Sequence, residues 1–319
     1  MKQVLSRFAS LFASGLEFAV GSSQPLSVWR AKTLLTSGRS LDSIRYATAQ
    51  LRLWPESADL HYVAGQAAIQ LVQFDYARVR MAYATHLSPA ETRFRFALAY
   101  CAHRHGDKQT AEREYRTVLS QTPTDLNARL NLGLVLKSQN KLELASDAFE
   151  EVLSRRPRDV KALFGAALCH YQLGRFGHAK QQAETCVQVQ PKHGKGNALL
   201  GAIALAEDRK DTAKVYYERA MALEPEDGSI LAALGRLYMA ENPAHARHLL
   251  REALIVARHD RTAHFDLGQY YERTNQLDRA LAEYALYVRH HDDTRSAWSA
   301  RRMVRIREKQ KESQVANER

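Results

Sequence analysis

The chain has 319 residues, of which 45% are hydrophobic and 25% charged, so intrinsic disorder is excluded for most of its length. Only 15 glycines and 8 prolines are present, which disfavours an all-β fold with many turns. The formal net charge of +11 favours an acidic partner, and 3 cysteines are too few for a disulfide scaffold.

Residues 1–23 carry apolar side chains at helical spacing, namely Leu5, Phe8, Leu11, Phe12 and Leu16. Three interpretations are open: a helix that covers the end of the repeats that follow, a helix that lies on a membrane surface, and a cleaved signal peptide. The apolar stretch between Arg7 and Glu17 is short, and the cleavage site near Gly21 is poor. The sequence therefore favours a capping segment over the other two.

Six prolines recur every 34 residues, at Pro55, Pro89, Pro123, Pro157, Pro191 and Pro225. Because a helix cannot run through proline, each is predicted to mark a helix end. Placing proline at position 32 of a 34-residue unit gives eight units, of which one is a residue shorter near Asn242-Pro243. Their predicted bounds are 24–57, 58–91, 92–125, 126–159, 160–193, 194–227, 228–260 and 261–294.

Two columns of this repeat hold only small residues. Position 8 holds Ala31, Gly65, Ala99, Gly133, Ala167, Gly201, Gly235 and Gly268. Position 20 holds Ser43, Ala77, Ala111, Ala145, Ala179, Ala213, Ala246 and Ala280, whereas position 24 is bulky in most units. Small side chains let two helix axes approach closely, and the bulky residue fills the gap beside them. Each unit is predicted to be a helix pair, such as 126–138 with 142–154, that stacks on its neighbours to bury its apolar face.

These columns resemble those of the tetratricopeptide repeat family. Leu132-Gly133, Ala145, Phe149 and Pro157 match the family signature in the fourth unit, and Leu200-Gly201, Ala213, Tyr217, Ala220 and Pro225 match it in the sixth. The resemblance covers residues 24–294 and implies an all-α fold: a right-handed superhelical solenoid of about eight antiparallel helix pairs. It also implies that the first helices line a concave groove that binds other proteins. The first unit departs most from the pattern, with Arg30 at position 7 and Ala47 at position 24.

The first helix of each pair carries the functional signal. Positions 2, 5, 9 and 12 form one stripe along the helix, flanked by positions 6 and 13, and in the family this stripe faces the groove. In the third to sixth units these 24 positions hold five Lys or Arg residues and no Asp or Glu. The predicted contact residues are Arg93, Phe96, Tyr100, Arg104, Asn127, Asn131, Lys161, Phe164, Tyr171 and Lys195.

The composition of the stripe predicts the chemistry of its partner. Aromatic and aliphatic side chains supply contact area, and basic side chains supply orientation. We therefore expect a peptide or helix of another protein, with apolar anchors and acidic character. Leu130 and Leu199 stand at stripe positions too and are expected to contribute to partner binding. The alternative for single residues is that they pack against neighbouring helices, which we expect foremost for Leu134 and Leu168.

No catalytic motif is present, and the sequence predicts a protein without enzymatic activity, cofactor or metal ion. It lacks a phosphate-binding G-x-x-x-x-G-K-[ST] loop, H-E-x-x-H, a C-x-x-C pair and G-x-S-x-G. Cys101, Cys169 and Cys186 occupy helix-packing columns, which indicates a structural role. His245 and His248 share a helix face, a spacing more typical of surface histidines than of a metal pair.

Residues 295–319 carry eight basic and three acidic residues, a net charge of +5. Trp298, Met303, Val304 and Ile306 give this segment a modest apolar face. Because the ends of a solenoid need covering, a basic capping helix with a tail is the favoured interpretation. The alternative is a helix that binds anionic lipid or nucleic acid.

Two functions follow from these observations. The leading one is a non-catalytic scaffold or adaptor that binds a partner protein in the groove, with self-association through its ends left open. The alternative is a peripheral membrane assembly factor that docks on an anionic surface through residues 1–23 or the basic C-terminal helix. Nucleic acid is disfavoured because the stripe has no two-residue code repeated at fixed positions.

The expected location follows from two absences in the sequence. No run of eighteen apolar residues is present, so no transmembrane helix is predicted. The few cysteines fit a reducing compartment. We expect a cytoplasmic protein, with attachment to a membrane surface left open and a secreted or periplasmic location disfavoured.

Overall fold

The computed structural model of the chain describes residues 24–257, 261–290 and 294–317, which form 17 α-helices and no strand. This is the all-α fold that the sequence predicts. The described residues form two compact units, with the division between Pro157 and Arg158. The interpretations of residues 1–23 fall outside the described residues.

The first unit contains eight helices joined by short turns. They are α1 (Gln24–Thr36), α2 (Ser40–Gln50), α3 (Ala58–Gln70), α4 (Phe74–Leu87), α5 (Thr92–His105), α6 (Lys108–Gln121), α7 (Leu126–Ser138) and α8 (Leu142–Arg155). Consecutive helices pack against each other, and α1, α3, α5 and α7 also contact one another in succession. The odd-numbered helices are thus the first members of the helix pairs and lie side by side.

The second unit contains nine helices. They are α9 (Val160–Gln172), α10 (Phe176–Val189), α11 (Gly194–Ala206), α12 (Lys210–Leu223), α13 (Gly228–Tyr238), α14 (Pro243–Val256), α15 (Arg261–Arg273), α16 (Leu277–His290) and α17 (Thr294–Asn317). Consecutive helices again pack together, and first helices contact each other in the pairs α9 with α11 and α13 with α15. The arrangement of the first unit is therefore repeated here.

A close crossing of a small residue on a large one recurs inside the helix pairs. In the first unit, a Cβ atom added to Gly133 would lie 2.7 Å from Cε1 of Phe149. In the second unit, a Cβ atom on Gly201 would lie 2.8 Å from Cδ2 of Tyr217. Ala145 is fully buried beside the first of these crossings. The small column at position 8 and the bulky column at position 24 are explained by this contact between the two helices.

Most turns inside the helix pairs place one residue, at position 15, in the left-handed conformation. Glycine occupies this place at Gly38, Gly106 and Gly174, and the residues Val72, Asn140, Asp208 and Asn275 occupy it elsewhere with φ between 57° and 61°. Glycine and asparagine adopt this conformation at little cost, but β-branched Val72 is strained there. The shortened pair α13–α14 is built differently, since Asn242 has φ −138° and caps α14 by accepting from His245 N.

Polar bridges connect helix pairs that are one repeat apart. Lys141 Nζ donates to Glu112 Oε2 at 2.8 Å, and Arg236 Nε donates to Asp266 Oδ2 at 2.9 Å. Both carboxylates are buried. Burial opposes ionisation of Glu112, but hydrogen bonds from Lys141 and the neighbouring positive charges outweigh it and lower the pKa of Glu112. These bridges stabilise the stacking of one repeat on the next.

The last helix, α17, packs against the helix before it. Ser299 and Ile306 are buried, and the Trp298 ring lies 5.8 Å from the ring of Tyr284 on α16. Arg302 Nε donates to Glu272 Oε1 at 2.6 Å, which attaches α17 to α15 as well. Tyr284 is fully buried in this arrangement. The role of this segment as an end cap stays a prediction.

Candidate functional site

All ten predicted contact residues lie on first helices, and none of them is fully buried. Five are exposed (Arg93, Arg104, Asn127, Lys161 and Lys195), and the other five are half-buried. They fall into two sets that belong to different units. The first-unit stripe is Arg93, Phe96, Tyr100, Arg104, Asn127 and Asn131, on α5 and α7. The second-unit stripe is Lys161, Phe164, Tyr171 and Lys195, on α9 and α11.

Arg93 is held in place at the N-terminal end of α5. Its Nη2 donates to Asp59 Oδ1 at 2.9 Å, and its Nε donates to Glu91 Oε2 at 2.9 Å. The guanidinium also lies over the Tyr62 ring, 5.5 Å from the centroid. A planar guanidinium can pair with carboxylates and stack on a ring at once. The orientation of Arg93 is therefore fixed before any partner binds.

Phe96 and Tyr100 form the apolar part of the first-unit stripe. The Phe96 ring lies 5.5 Å from the ring of Tyr115, which is fully buried, so Phe96 rests on the core. Tyr100 meets the Phe74 ring edge-on at 6.4 Å, and the Arg104 guanidinium lies 4.9 Å above the same ring. The stripe thus presents two half-exposed aromatic side chains. Each packs against another aromatic ring, and cations flank them.

The two asparagines of the first-unit stripe are already partly engaged. Arg156 Nη1 donates to Asn127 Oδ1 at 2.9 Å. Asn131 Nδ2 donates to the Asn127 carbonyl at 2.8 Å. The bond from Arg156 also brings a third cation to the edge of this stripe. The side chain of Asn127 is exposed, and its Nδ2 group is able to donate a hydrogen bond.

In the second-unit stripe, the aromatic side chains pack against other rings, but the ammonium groups form no ion pairs among the described residues. The Phe164 ring lies 5.0 Å from the His193 ring, and the Tyr171 ring lies 5.8 Å from that of Phe176. Lys161 and Lys195 are exposed. Among the described residues, no carboxylate lies within ion-pair distance of either ammonium group. These two charges are free to follow a partner.

His193 caps α11 beside Phe164 and was not considered from the sequence. Its Nδ1 accepts from Gly196 N at 2.8 Å, which requires a neutral ring with Nδ1 unprotonated. Burial lowers the pKa of His193, whereas the charge of Glu224 raises it. The same position 34 holds the caps Ser57, Asp125, Asp159 and Asp227, so aligning this column would have identified it.

The structure corrects part of the predicted stripe. Leu130 and Leu199 are buried, so the prediction that they face a partner is wrong. Leu134 and Leu168, for which packing against neighbouring helices was the alternative, are half-buried. Leu130 shares position 5 with the half-buried Phe96 and Phe164, and Leu199 shares position 6 with the half-buried Asn131. The burial of the two leucines is therefore set by neighbouring side chains and not by their helix position.

Two contributors to the first-unit surface were missed. Asp59 and Tyr62 stand at positions 2 and 5 of the second repeat (residues 58–91), outside the third to sixth repeats that carry the predicted stripe. Both contact Arg93, as described above. The column that identified Arg93 also contains Asp59, so the signal was present in the sequence. The acidic partner of Arg93 therefore belongs to the protein itself.

The cysteines are unsuited to nucleophilic chemistry. All three are buried, and none of them forms a disulfide. Burial raises the pKa of Cys101 to about 12 and that of Cys186 to about 11, so these thiols stay protonated near neutral pH. Across the described ranges, no group of three or more His, Cys, Asp or Glu side chains is placed to hold a metal ion. Within those ranges, too, every helix is too short or too polar to cross a bilayer.

Two sequence models of the tetratricopeptide repeat match the chain. One matches residues 130–183 and 236–294, and the other matches residues 195–227. The matches lie in the fourth to eighth predicted units, where the signature is best kept. No curated protein matches the chain.

Solved structures share the fold at low sequence identity. The APC/C hetero-tetramer Cut9-Hcn1 has a TM-score of 0.66 at 15% identity, covering 93% of this chain. This chain spans only 59% of the length of that protein. A tetratricopeptide repeat protein from Parabacteroides merdae has a TM-score of 0.64 at 15% identity, covering 78% of this chain and 98% of its own. PilF of Pseudomonas aeruginosa has a TM-score of 0.55 at 18% identity, covering 64% and 93%.

Proposed function

Since the chain is a tetratricopeptide repeat protein, we propose that it is a non-catalytic scaffold that binds a segment of a partner protein on its first helices. Proteins of this family are typically interaction scaffolds. One observation carries the proposal: in the first-unit stripe, Phe96 and Tyr100 lie half-exposed between the exposed cations Arg93 and Arg104. Supported aromatic rings beside oriented arginines are the composition of a binding hot spot.

The partner proposed for this surface is a peptide or helix with apolar anchors and acidic residues. Its apolar side chains would pack on Phe96 and Tyr100. Its carboxylates would meet Arg104 and would share Arg93 with Asp59. Arg93 makes two ion pairs already, so it serves to orient a partner carboxylate rather than to supply an unpaired charge.

Selection of peptides from a random displayed library on the full-length protein tests this proposal. The dissociation constant of a selected peptide is then measured for the unmodified chain and for Phe96→Ala/Tyr100→Ala. We expect the double variant to lose about 2–4 kcal/mol of binding free energy, because both rings are partly exposed anchors. Circular dichroism should show an unchanged helical content.

Leu144→Ala is the matched control, since Leu144 is an exposed apolar residue on the second helix α8. It should leave the affinity unchanged. Selected peptides that bind the double variant as tightly as the unmodified chain would remove the first-unit stripe as the binding surface. An equal loss in Leu144→Ala would place the contact on the second helices instead.

A second candidate function, attachment to an anionic membrane surface, is favoured by the outer face of α17. Arg301 and Arg305 are exposed on this face, Val304 is 54% exposed and Trp298 is 40% exposed. Cations next to apolar and tryptophan side chains suit the boundary between lipid headgroups and acyl chains. In this candidate function the protein is still a scaffold, and α17 attaches it to a membrane surface.

Co-sedimentation with vesicles tests the second candidate. The full chain should bind vesicles that contain phosphatidylserine but not vesicles of phosphatidylcholine alone. Arg301→Glu/Arg305→Glu should abolish the binding. The control is Lys210→Glu/Arg251→Glu, which reverses two exposed charges elsewhere in the second unit. If the control loses as much binding, net charge rather than α17 is responsible.

A further inference from the structure

The leading side of α1 exposes apolar side chains at position 3, which is buried in every other described repeat, and at position 6, which is buried in five of the other seven. Leu26, at position 3, is 41% exposed, and Trp29, at position 6, is 65% exposed. In all other described repeats the residue at position 3 is buried, namely Leu60, Phe94, Ala128, Ala162, Gly196, Ile230 and Ala263. Leu26 and Trp29 form the leading face. In the other repeats, another helix covers the corresponding face.

The helix that covers the corresponding face in later repeats is the second helix of the preceding pair. Ala47 of α2 and Leu51, directly after α2, for example, belong to one apolar cluster with Leu60 and Val63 of α3. No helix precedes α1 among the described residues. The leading face therefore lacks the contact that each repeat otherwise obtains from its predecessor.

We propose that residues 1–23 supply a second-type helix that packs on the leading face. The second helices of the array have 11 to 14 residues, and a four-residue connector such as 122–125 leads to the next first helix. Extending the 34-residue frame backwards places such a helix at residues 6–19 and the connector at residues 20–23. The segment before Gln24 has the length that this arrangement needs.

The sequence of this segment continues the columns of the repeat. Ala9 falls at position 20, which is small in every unit, and Leu16 falls at position 27, which is buried in seven of the eight units. Ala13 falls at position 24, where Ala183 also stands. Ser23 falls at position 34, where Ser57 caps α3 by accepting from the backbone of residue 60. The frame thus runs into residues 1–23 without an insertion.

Covalent continuity favours this segment over a second copy of the chain or a membrane. The connector holds residues 6–19 next to α1, so the local concentration of the segment exceeds that of any separate molecule at ordinary protein concentrations. The inference is independent of the proposed function, because it concerns the start of the array rather than either stripe.

Two leucines of the segment provide a matched pair for the test. Leu16 falls at the inward position 27, and Leu11 falls at position 22, which is exposed in all eight units. In the full-length chain with Trp54→Phe and Trp298→Phe, Trp29 is the one remaining tryptophan and reports on the leading face. We expect Leu16→Asp to increase acrylamide quenching of Trp29 several-fold and to shift its emission to the red. Leu11→Asp should leave both unchanged.

Several results would overturn the inference. Quenching that is the same in the parent and both variants, or that rises equally in both, excludes the inward role of Leu16. Shielding of Trp29 that grows with protein concentration assigns the face to a second copy, and shielding that requires phosphatidylserine vesicles assigns it to a membrane. Hydrogen exchange on the unmodified chain gives a second test: protected amides in residues 6–19 support the helix, and exchange at the rate of an unfolded chain excludes it.

Discussion

The two stripes use the same helix positions but hold their charges differently. Arg93 of the first-unit stripe is fixed by Asp59, Glu91 and an aromatic ring. The ammonium groups of Lys161 and Lys195 in the second-unit stripe form no ion pair within the described ranges, whereas their backbone N–H groups donate to Asp159 and Glu224. A group that is already oriented loses little freedom on binding, whereas a free ammonium loses more but adapts to more geometries. The helix position thus decides which residue meets a partner, and the neighbouring helices decide how selective that contact is.

The largest expected effect tests whether both stripes rest on equivalent scaffolds. Gly133→Leu and Gly201→Leu each force a side chain into the crossing with Phe149 or Tyr217. Each should lower the free energy of unfolding by about 3 kcal/mol, measured by urea denaturation. Gly177→Leu is the control, because nothing lies within 4 Å of a Cβ atom there, and it should change stability by less than about 1 kcal/mol. Clearly unequal losses of stability would mean that the helix pairs that carry the two stripes are packed differently.

A smaller effect is expected from the turns, which also differ between the units. Val72 has φ 60° in the first unit, and Gly174 has φ 72° at the equivalent place in the second. Gly174→Val should destabilise the protein by about 1–2 kcal/mol, since it places a β-branched residue in the left-handed region. Val72→Gly should stabilise it by about 0.5–1 kcal/mol, the relief of strain less the added freedom of the unfolded chain.

Val72→Asn separates strain from glycine flexibility, because Asn140 and Asn275 occupy the same place in other turns. It should stabilise the protein in urea denaturation, as Val72→Gly does. A loss of stability in both variants would show that the contacts of the Val72 side chain outweigh the strain of its backbone.

Exchanging arginine and lysine sharpens the contrast between the stripes themselves. Arg93→Lys loses the paired hydrogen bonds to Asp59 and Glu91 and should weaken binding of a selected peptide about tenfold, or roughly 1.4 kcal/mol. Lys161→Arg should change affinity by less than about twofold, because Lys161 has no fixed geometry to lose. Isothermal titration of each variant with a peptide selected on its own stripe measures the difference. Equal effects would contradict the distinction between an oriented and an adaptable cation.

The smallest expected effect concerns pH and the cap of the second-unit stripe. The pKa of His193 is lowered in the folded protein, so below about pH 6.5 the unfolded chain binds more protons and stability falls with falling pH. The loss levels off below the folded pKa and should stay under about 1 kcal/mol, the value of one helix cap. Urea denaturation between pH 7.5 and 5.5 measures it.

His193→Asp provides the reference for this effect, because Asp125 and Asp159 cap their helices in the same way. The variant should lose less stability than the unmodified chain over the same pH range. The comparison is needed because burial also lowers the pKa of His61 and His103. If the two chains show the same pH dependence, the His193 cap does not contribute to it.

The fold was accessible from the sequence because its cause is local and repeated. A glycine such as Gly133 meets its large partner Phe149 only 16 residues later, and the same pair recurs through the chain. The stripe was harder to predict, because the burial of Leu130 depends on side chains of other helices and not on its own column. The cap formed by His193 depends on a ring orientation and a protonation state, which residue spacing does not encode.

The bridges between successive repeats bear on how the array comes apart. If the repeat that carries Lys141 unfolds, Glu112 in the preceding repeat loses the bond from Lys141 and retains its ion pair with Arg116. If the repeat that carries Arg236 unfolds, Asp266 loses the bond from that side chain. The loss of a hydrogen bond to a buried carboxylate costs about 1.5–3 kcal/mol, which raises the free energy of a boundary between a folded and an unfolded repeat. In a linear array, costly boundaries enlarge the block that opens in one step. Repeats joined by such bridges should therefore open together, and local opening should begin where neighbouring repeats are held by apolar contacts alone.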